Sequence, residues 1–239
     1  MIKLYFCRMK QIATLFILLT LAFSEVALAQ KSNEETPVKR ERTDMFMIQY
    51  NHEGLLNFPD SIRLSPWSRG VGISFMYDHF LVESDKLSIG IGLSFYSHNY
   101  LTKSDITQYQ DTSGQVLSKF TAYSPYTINR SKIVRNFLDI PVELRYRTTP
   151  NEKSHSWKVA VGAKIGYRTN IYSKVIDKND DKYKSFIYPQ VSRSRYGLTG
   201  RIGYGKVSVN GYYSLSNFFF EGRGAEITPI SLGVTLTLF

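Results

Sequence analysis

Cysteine is almost absent from this chain of 239 residues, and the single one is Cys7. It lies within a predicted leader, so the rest of the chain has no thiol. This excludes disulfides, a thiolate nucleophile and cysteine-ligated metal sites. The histidines His52, His79, His98 and His155 are dispersed, so no metal site and no cofactor is expected.

Long hydrophobic runs are also missing, except near the N-terminus. Lys3, Arg8 and Lys10 precede an apolar run over residues 12–23, and a small-residue site ends at Ala29. This pattern predicts a secretory signal peptide over residues 1–29, cleaved after Ala29. Beyond it no apolar stretch is long enough for a spanning helix. If the chain enters a membrane, it must do so as a closed barrel, which satisfies every backbone group in lipid.

Acidic residues are fewer than basic ones. Without residues 1–29 the chain has 27 Lys and Arg against 19 Asp and Glu, a net charge of +8. The basic residues are spread through the predicted strands of an exported protein, so nucleic acid is not expected as a partner. Residues 30–43 are polar without periodicity and predict a flexible periplasmic segment, followed by a barrel domain over residues 44–239.

Alternation of apolar and polar residues fills this domain and predicts an all-β fold. Eight strands are predicted, at 44–50, 67–81, 87–101, 132–147, 157–172, 193–204, 207–216 and 227–239. Short and long connections alternate, and the longest spans residues 102–131. This asymmetry is typical of a transmembrane β-barrel in a Gram-negative outer membrane. It predicts eight antiparallel strands with long extracellular loops, short periplasmic turns and periplasmic termini.

The polar face of each strand indicates what the barrel encloses. Charged residues there alternate with glycines, which weaken a strand but leave space in a narrow lumen. Aromatic residues near the segment ends predict interfacial girdles; they are Trp67, Tyr77, Tyr100, Tyr146, Trp157, Tyr172, Tyr196 and Tyr204. The predicted lumen charges are Asp78, Arg135, Asp139, Glu143, Arg145, Lys158, Lys164, Arg168, Arg195 and Arg201.

Buried charges are costly unless they are paired. We therefore expect Asp139 and Glu143 to bridge arginines such as Arg168 and Arg201, giving a plugged lumen with a structural or protein-interaction role. Residues 103–131 are either a surface for a protein partner or an unstructured loop.

Three other functions stay open. Excess basic charge would suit a narrow anion-selective channel. A soluble, exported lipocalin-like binding barrel would place the aliphatic face inside. A lipid-A-modifying enzyme would use His98 near the extracellular rim with Ser94 and Tyr96. Catalysis is the least expected of the three.

Two segments, FLDIPVELRYRT and WKVAVGAKIGYRTNIYS, resemble the PorT-like outer-membrane β-barrel family of Bacteroidota. The matching residues are Phe137, Asp139, Ile140, Pro141, Arg145, Tyr146, Gly162, Gly166 and Tyr167. The resemblance implies an eight-stranded outer-membrane barrel with a link to type IX secretion. It supplies no catalytic residues.

Two further features concern assembly. Pro141 lacks a ladder donor, so a bulge or kink is expected in its strand. The terminal ISLGVTLTLF resembles the signal that the barrel-assembly machinery reads on outer-membrane proteins, although Phe239 is out of phase with the preceding aliphatic residues. Membrane lipid and that machinery are the expected partners.

Overall fold

The computed structural model describes residues 45–59, 64–81, 86–124, 128–151, 155–186 and 188–238. The predicted signal peptide with Ala29, the segment 30–43 and Phe239 lie outside the described residues. Within the described ranges, no helix is long and apolar enough to cross a membrane.

The described residues form eleven strands, and eight of them close into an antiparallel barrel. The predicted eight-stranded β-barrel is therefore confirmed. Strand β1 pairs with β11, and β6 pairs with β7. The strands are β1 (Phe46–Leu56), β2 (Arg69–Phe80), β3 (Leu87–Leu101), β4 (Ser104–Gln110), β5 (Val116–Ala122), β6 (Ile128–Arg147), β7 (Trp157–Asp177), β8 (Lys182–Ser185), β9 (Ser194–Tyr204), β10 (Val207–Ser214) and β11 (Thr228–Thr237). Strands β4 and β5 form a separate hairpin, and β8 pairs only with β7.

The register of the eight strands fixes the width of the barrel. Following the paired residues once around from Trp157 in β7 returns to Tyr167, ten residues further along the same strand. With eight strands, a stagger of this size tilts the strands by about 35–45°. The interior is then just wide enough to be filled by side chains.

Aliphatic side chains cover the outside of the barrel. Strand β2 alternates strictly between exposed and buried positions, with Val71, Ile73 and Phe75 exposed. Leu93 and Val161 are each 57% exposed, while the charged residues between such positions are buried. A soluble lipocalin-like barrel would have the opposite arrangement, so that alternative is wrong.

The two ends of the barrel differ. We call the end with the connections β2–β3, β6–β7 and β9–β10 the short-turn end, and the opposite end the long-loop end. Exposed aromatic residues lie near both ends, as expected for girdles. They include Tyr77, Tyr146, Trp157 and Tyr204 at the short-turn end and Trp67, Tyr167, Tyr196 and Tyr213 towards the long-loop end. Tyr100, expected in a girdle, is 1% exposed because it points inward in phase with His98.

Strand lengths at the long-loop end differ from the prediction. Strand β1 continues to Leu56 instead of ending at Tyr50. The sequence pattern did not indicate this extension because its inward residues, Asn51 and Glu53, are polar. Residues 103–131, considered as an unstructured loop, contain the β4–β5 hairpin. Strand β8 was also not predicted.

Of the bulge or kink expected at Pro141, a bulge is not found there. Register with β7 is continuous through Pro141, which pairs with Lys164, and the register shifts fall at Ile128/Arg130 and Asn136/Phe137. On the other side of β6, the ladder with β3 omits Ile140 and Pro141 without changing register. Proline lacks the donor for that ladder, so its effect is a local gap in pairing.

Candidate functional site

The barrel interior is the main candidate site, and its charges form two clusters. The first, near the short-turn end, comprises Asp78, Glu143, Arg145, Arg147 and Arg201; we call it the short-turn cluster. Asp78 Oδ1 accepts a bond from Arg145 Nη1 at 2.6 Å, and its Oδ2 accepts one from Arg147 Nη2 at 2.9 Å. Glu143 Oε2 accepts from Arg145 Nε at 2.9 Å and from Arg201 Nη2 at 3.2 Å. Both carboxylates are therefore shared between two arginines.

Gly90 makes room for the short-turn cluster. A Cβ atom at this position would lie 2.8 Å from Cζ and Nε of Arg145 and 3.0 Å from Oδ1 of Asp78. Those contacts are tighter than real side chains show, and Arg145 is held by bonds on two sides. A side chain at position 90 would therefore displace the ion pair.

The second cluster lies further towards the long loops and comprises Glu53, His98, Asp139, Lys164 and Arg195; we call it the central cluster. Arg195 donates to Asp139 from Nε at 2.8 Å and from Nη2 at 2.5 Å, a two-pronged contact. Lys164 Nζ lies 4.0 Å from Asp139 Oδ2. His98 Nδ1 bonds Glu53 Oε2 at 2.7 Å, and its Nε2 contacts Arg195 Nη1. One buried network therefore joins β1, β3, β6, β7 and β9.

Neutral side chains complete the central cluster. Ser231 donates to Glu53 Oε2 at 2.8 Å, and the Tyr96 hydroxyl donates to Oε1 at 3.3 Å. The Lys164 ammonium lies 4.0 Å from the centre of the Tyr212 ring. Cation–π contacts of this kind stabilise a desolvated charge. The basic groups in this layer are therefore offset by rings as well as by carboxylates.

An apolar cap covers the interior at the long-loop end. Arg135 marks its base, with its guanidinium 4.2 Å from the Phe218 ring centre and 4.9 Å from that of Phe137. Above it, residues from the β4–β5 hairpin, the strand ends and the loops form one buried cluster. We call this the cap: Tyr100, Ile106, Phe120, Ile133, Ile171, Tyr188, Val191, Phe218, Phe219 and Ile227.

A polar contact fastens the hairpin to the cap. Asp105 in β4 accepts a bond from the Tyr188 hydroxyl at 2.7 Å on Oδ1 and from the Tyr123 hydroxyl at 2.9 Å on Oδ2. Burial and the contact with Asp105 raise the pKa of Tyr188 to about 12. Burial followed by the Asp105 charge also raises the pKa of Tyr123.

Little empty space remains inside. A cavity of about 30 Å³ lies between the two clusters, lined in part by Met76, Glu143 and Lys164. A second cavity of about 10 Å³ lies beside Arg135 and Tyr212. Polar cavities of this size hold single waters, so neither has room for a substrate.

The structure places the predicted lumen residues as follows. Those that are buried in the interior are Asp78, Arg135, Asp139, Glu143, Arg145, Lys164, Arg195 and Arg201. Lys158 and Arg168 are half-buried and nearer the two ends.

Asp139 pairs with a lumen arginine, as expected, but that arginine is not one of the two examples given. Its partner is Arg195, while Arg168 Nη1 donates to the Val191 carbonyl at 2.9 Å. Register explains this, because Asp139 faces Gly166 across the β6–β7 ladder and Gly166 faces Arg195 across the next. The missing side chain at Gly166 lets the two charged groups meet. Glu143 bonds Arg201, one of the two arginines expected to bridge the carboxylates.

Sequence reasoning missed Glu53, which is fully buried at the centre of the network. Its position follows from the phase of β1, since Met47, Asn51 and Glu53 all point inward. An extension of the predicted strand by six residues would have found it.

His98, considered as a catalytic residue at the rim, lies in the closed interior and is 1% exposed. Both of its ring nitrogens have partners, Glu53 and Arg195. Across the described ranges, no group of three or more His, Cys, Asp or Glu side chains could hold a metal ion.

Comparisons with known proteins give a matching family and similar solved structures. A family model described as "Outer membrane protein beta-barrel domain" matches residues 45–224. The chain is similar to the crystal structure of Ail, the attachment invasion locus protein of Yersinia pestis. The identity is 12%, covering 81% of this chain and 96% of that one, with a TM-score of 0.32. The structure of Ail in complex with the heparin analogue sucrose octasulfate covers the same shares at 10% identity, with a TM-score of 0.28. No curated protein matches the sequence.

Proposed function

This chain belongs to the family of the outer membrane protein β-barrel domain, and we propose from this premise that it is a closed barrel with a protein-interaction role. Its lumen acts as a structural plug, and its long-loop end is the surface offered to a partner. The observation that carries the proposal is the continuous filling of the interior by the short-turn cluster, the central cluster and the cap.

The filling supports a plug more than a channel. A conducting pore needs a connected polar path with sites that ions can leave. Here the lumenal carboxylates Asp78, Asp139 and Glu143 are each bound to arginine. Arg135, the base of the cap, is covered by the Phe218 ring on the long-loop side. The excess of basic over acidic residues in the lumen therefore does not favour an open path for anions.

The long-loop end is suited to recognition because it is built as one connected surface. Ser118 in β5 donates its backbone N–H to the Arg223 carbonyl at 2.8 Å, and Gln115 Nε2 donates to the Gly222 carbonyl at 3.1 Å. The β4–β5 hairpin is thus joined to the β10–β11 loop. Loops held on a rigid scaffold commonly carry binding function.

Catalysis is not part of the proposal. His98 bonds both neighbours through its ring nitrogens and is screened from solvent, which suits a structural histidine. The link to type IX secretion implied by the PorT-like resemblance stays a prediction.

Planar-bilayer recording tests the plug. The purified full chain, folded by the criterion of heat-modifiable migration on a gel, is expected to give no steady conductance under conditions where a porin control does. Reproducible anion-selective currents would overturn the plug in favour of the channel.

Orientation is tested by labelling intact cells. The long loops are proposed to be extracellular, so Thr112→Cys in the β4–β5 turn should react with an impermeant maleimide. Lys206→Cys in the β9–β10 turn should react only after lysis. The reverse labelling pattern would contradict the proposed topology.

The interaction role is tested by co-purification from the native membrane after cross-linking. Replacing residues 107–119 with a Gly-Ser linker should abolish recovery of the partner while leaving heat-modifiability intact. The same replacement strain shows whether secretion through the type IX pathway depends on the hairpin. Unchanged recovery would remove the hairpin from the interface.

A further inference from the structure

Three lysines lie in register on neighbouring strands near the long-loop end. Lys132 in β6 faces Lys174 in β7, and Lys174 faces Lys184 in β8. Residues paired in this way point to the same side of a sheet, and like charges directly opposite one another destabilise it. We call these residues the lysine row.

The lysine row is on the outer surface of the barrel. Its neighbours Ile133 and Ser173 are buried inside, at 0% and 2% exposure, so the alternating positions face outward. Tyr172 and Phe186 form an aromatic pair beside the row, with ring centres 5.8 Å apart. Lys184 Nζ lies 5.7 Å from the Tyr172 ring centre. Aromatic rings followed by basic residues are typical of a membrane–water interface.

Other basic residues continue the row. Arg130 and Lys182 both face Ile176, which lies two residues beyond Lys174 in β7 and so points to the same side of the sheet. On the other side, Lys132 Nζ donates to Asn99 Oδ1 at 2.9 Å, and Asn99 faces Arg69. Basic residues of β2, β6, β7 and β8 therefore lie on one side of the barrel.

Protein carboxylates do not neutralise the row. Among the described residues, no Asp or Glu forms an ion pair with any of the three lysines. Asp177, the last residue of β7, uses Oδ1 to accept the backbone N–H groups of Asn179 and Asp181 in the following turn at 2.8 and 2.9 Å. Among the described residues, the row therefore has no carboxylate counterion.

We propose that the lysine row binds the phosphate groups of a glycolipid headgroup in the membrane leaflet at the long-loop end. The inference rests on the membrane location and orientation given in the proposed function. Several lysines converging on one side supply the multiple donors that a phosphate accepts. Leu101, which faces Lys132, also lines a groove of about 630 Å³ that offers space beside the row for a headgroup sugar.

The test compares lipid A carrying its phosphates with the same lipid A after dephosphorylation, bound to the full chain in neutral detergent. The variant is Lys132→Gln/Lys174→Gln/Lys184→Gln. Each lysine near an anionic surface is worth about fivefold in affinity, so we expect the triple variant to lose on the order of a hundredfold. The wild type should discriminate against dephosphorylated lipid A by a similar factor.

Two control variants distinguish the effect of losing this particular site from the effect of lowering the protein's net charge. Lys86→Gln/Lys119→Gln/Lys206→Gln removes three exposed lysines from elsewhere and should retain affinity. Lys132→Arg/Lys174→Arg/Lys184→Arg keeps the charges and should also retain it. Equal losses in both glutamine variants would overturn the specific site.

The thermal stability of the barrel gives a second, independent measurement. Without lipid A, the Tm of the lysine-row glutamine variant should stay close to that of wild type, because removal of the like charges offsets the loss of the Lys132–Asn99 bond and the Lys184–Tyr172 contact. Phosphorylated lipid A should raise the Tm of wild type but not of this variant. An equal rise in the Tm of both proteins would overturn the inference.

Inorganic phosphate distinguishes the source of the ligand. Millimolar phosphate should leave lipid A bound, since the lipid adds headgroup contacts; full displacement would assign the row to free phosphate instead. The outcomes are separable from those above. A conducting barrel with phosphate-dependent lipid binding would fail only the proposed function, and a closed barrel without such binding would fail only this inference.

Discussion

At the scale of single residues, the positions of glycines decide where ion pairs can form in the barrel interior. Gly90 lies beside Arg145 and Asp78, and Gly166 lies between Asp139 and Arg195. In both places a bidentate or shared ion pair occupies the volume that a Cβ would need. At both positions the ion pair can therefore form only because the residue beside it is glycine.

Gly90→Ala should destabilise the barrel by about 1–3 kcal/mol, because overpacking forces Arg145 away from Asp78 and Glu143. Gly200→Ala is the matched control, since a Cβ there meets nothing within 4 Å. It should change stability by about 0.5 kcal/mol or less. The urea midpoint of the barrel refolded into lipid vesicles measures both. Similar midpoints for the two variants would mean that Arg145 moves aside freely.

At the scale of strands, the alternation in the sequence predicted the barrel but not all of its long-loop end. Strand β3 is confirmed with its predicted bounds, and aliphatic and small residues alternate over its residues 87–94. The alternation is lost where both faces are polar, as at Asn51 and Glu53, and in the Ser- and Thr-rich β4–β5 hairpin. There the strands are specified by contacts with distant residues, which local periodicity does not encode.

The same limit applies to the ion pairs. The phase of each strand placed the charges inside, but the partner of Asp139 depends on the stagger between three strands. A bulge at Asn136/Phe137 adds a further shift towards the long-loop end. The side of the barrel on which a residue lies can thus be predicted from its own strand. Its ion-pair partner can be predicted only when the register of the neighbouring strands is known.

The bond between Tyr188 and the β4–β5 hairpin should weaken at high pH. The raised pKa of Tyr188, about 12 against an ordinary 10.0, means that the folded state holds the phenol proton more tightly. Its stabilising contribution is therefore complete below pH 10.0 and is lost as the pH rises towards 12. The protection factors of the amides in β4 and β5, which correct for base-catalysed intrinsic exchange, should fall across that window.

Tyr188→Phe removes the bond to Asp105 and should lower the protection factors already at neutral pH, with a smaller further fall above pH 10. The fall that remains reports Tyr123, which donates to the same carboxylate. Tyr109→Phe, at an exposed position of the same hairpin, should behave like the wild type. No difference between the two variants would exclude Tyr188 as the tether.

At the scale of the whole molecule, the exposed aliphatic surface sets the environment in which the fold is stable. In water this surface would be a large apolar patch; in a bilayer it is the matched face. In a bilayer, the free-energy cost of a charged substitution on this surface depends on its depth in the membrane. Ile91 lies within the aliphatic band and is 49% exposed, while Leu81 beside the β2–β3 turn is 46% exposed.

Ile91→Arg should cost about 2–4 kcal/mol in lipid vesicles, and Leu81→Arg about 0–1 kcal/mol. The unfolding free energy from urea titration gives both values. Because the two side chains are almost equally exposed, water alone would not distinguish them. Equal costs would contradict a membrane-embedded band.

The contact between Glu53 in β1 and Ser231 in β11 has a consequence for how the molecule matures. These strands meet only when the ring of strands shuts, so until that moment Glu53 lacks its serine donor and keeps water at its carboxylate. We therefore expect closure of the seam and dehydration of the interior to occur together. An open chain would keep hydrated charges that are costly to bury, so partly closed forms should not accumulate.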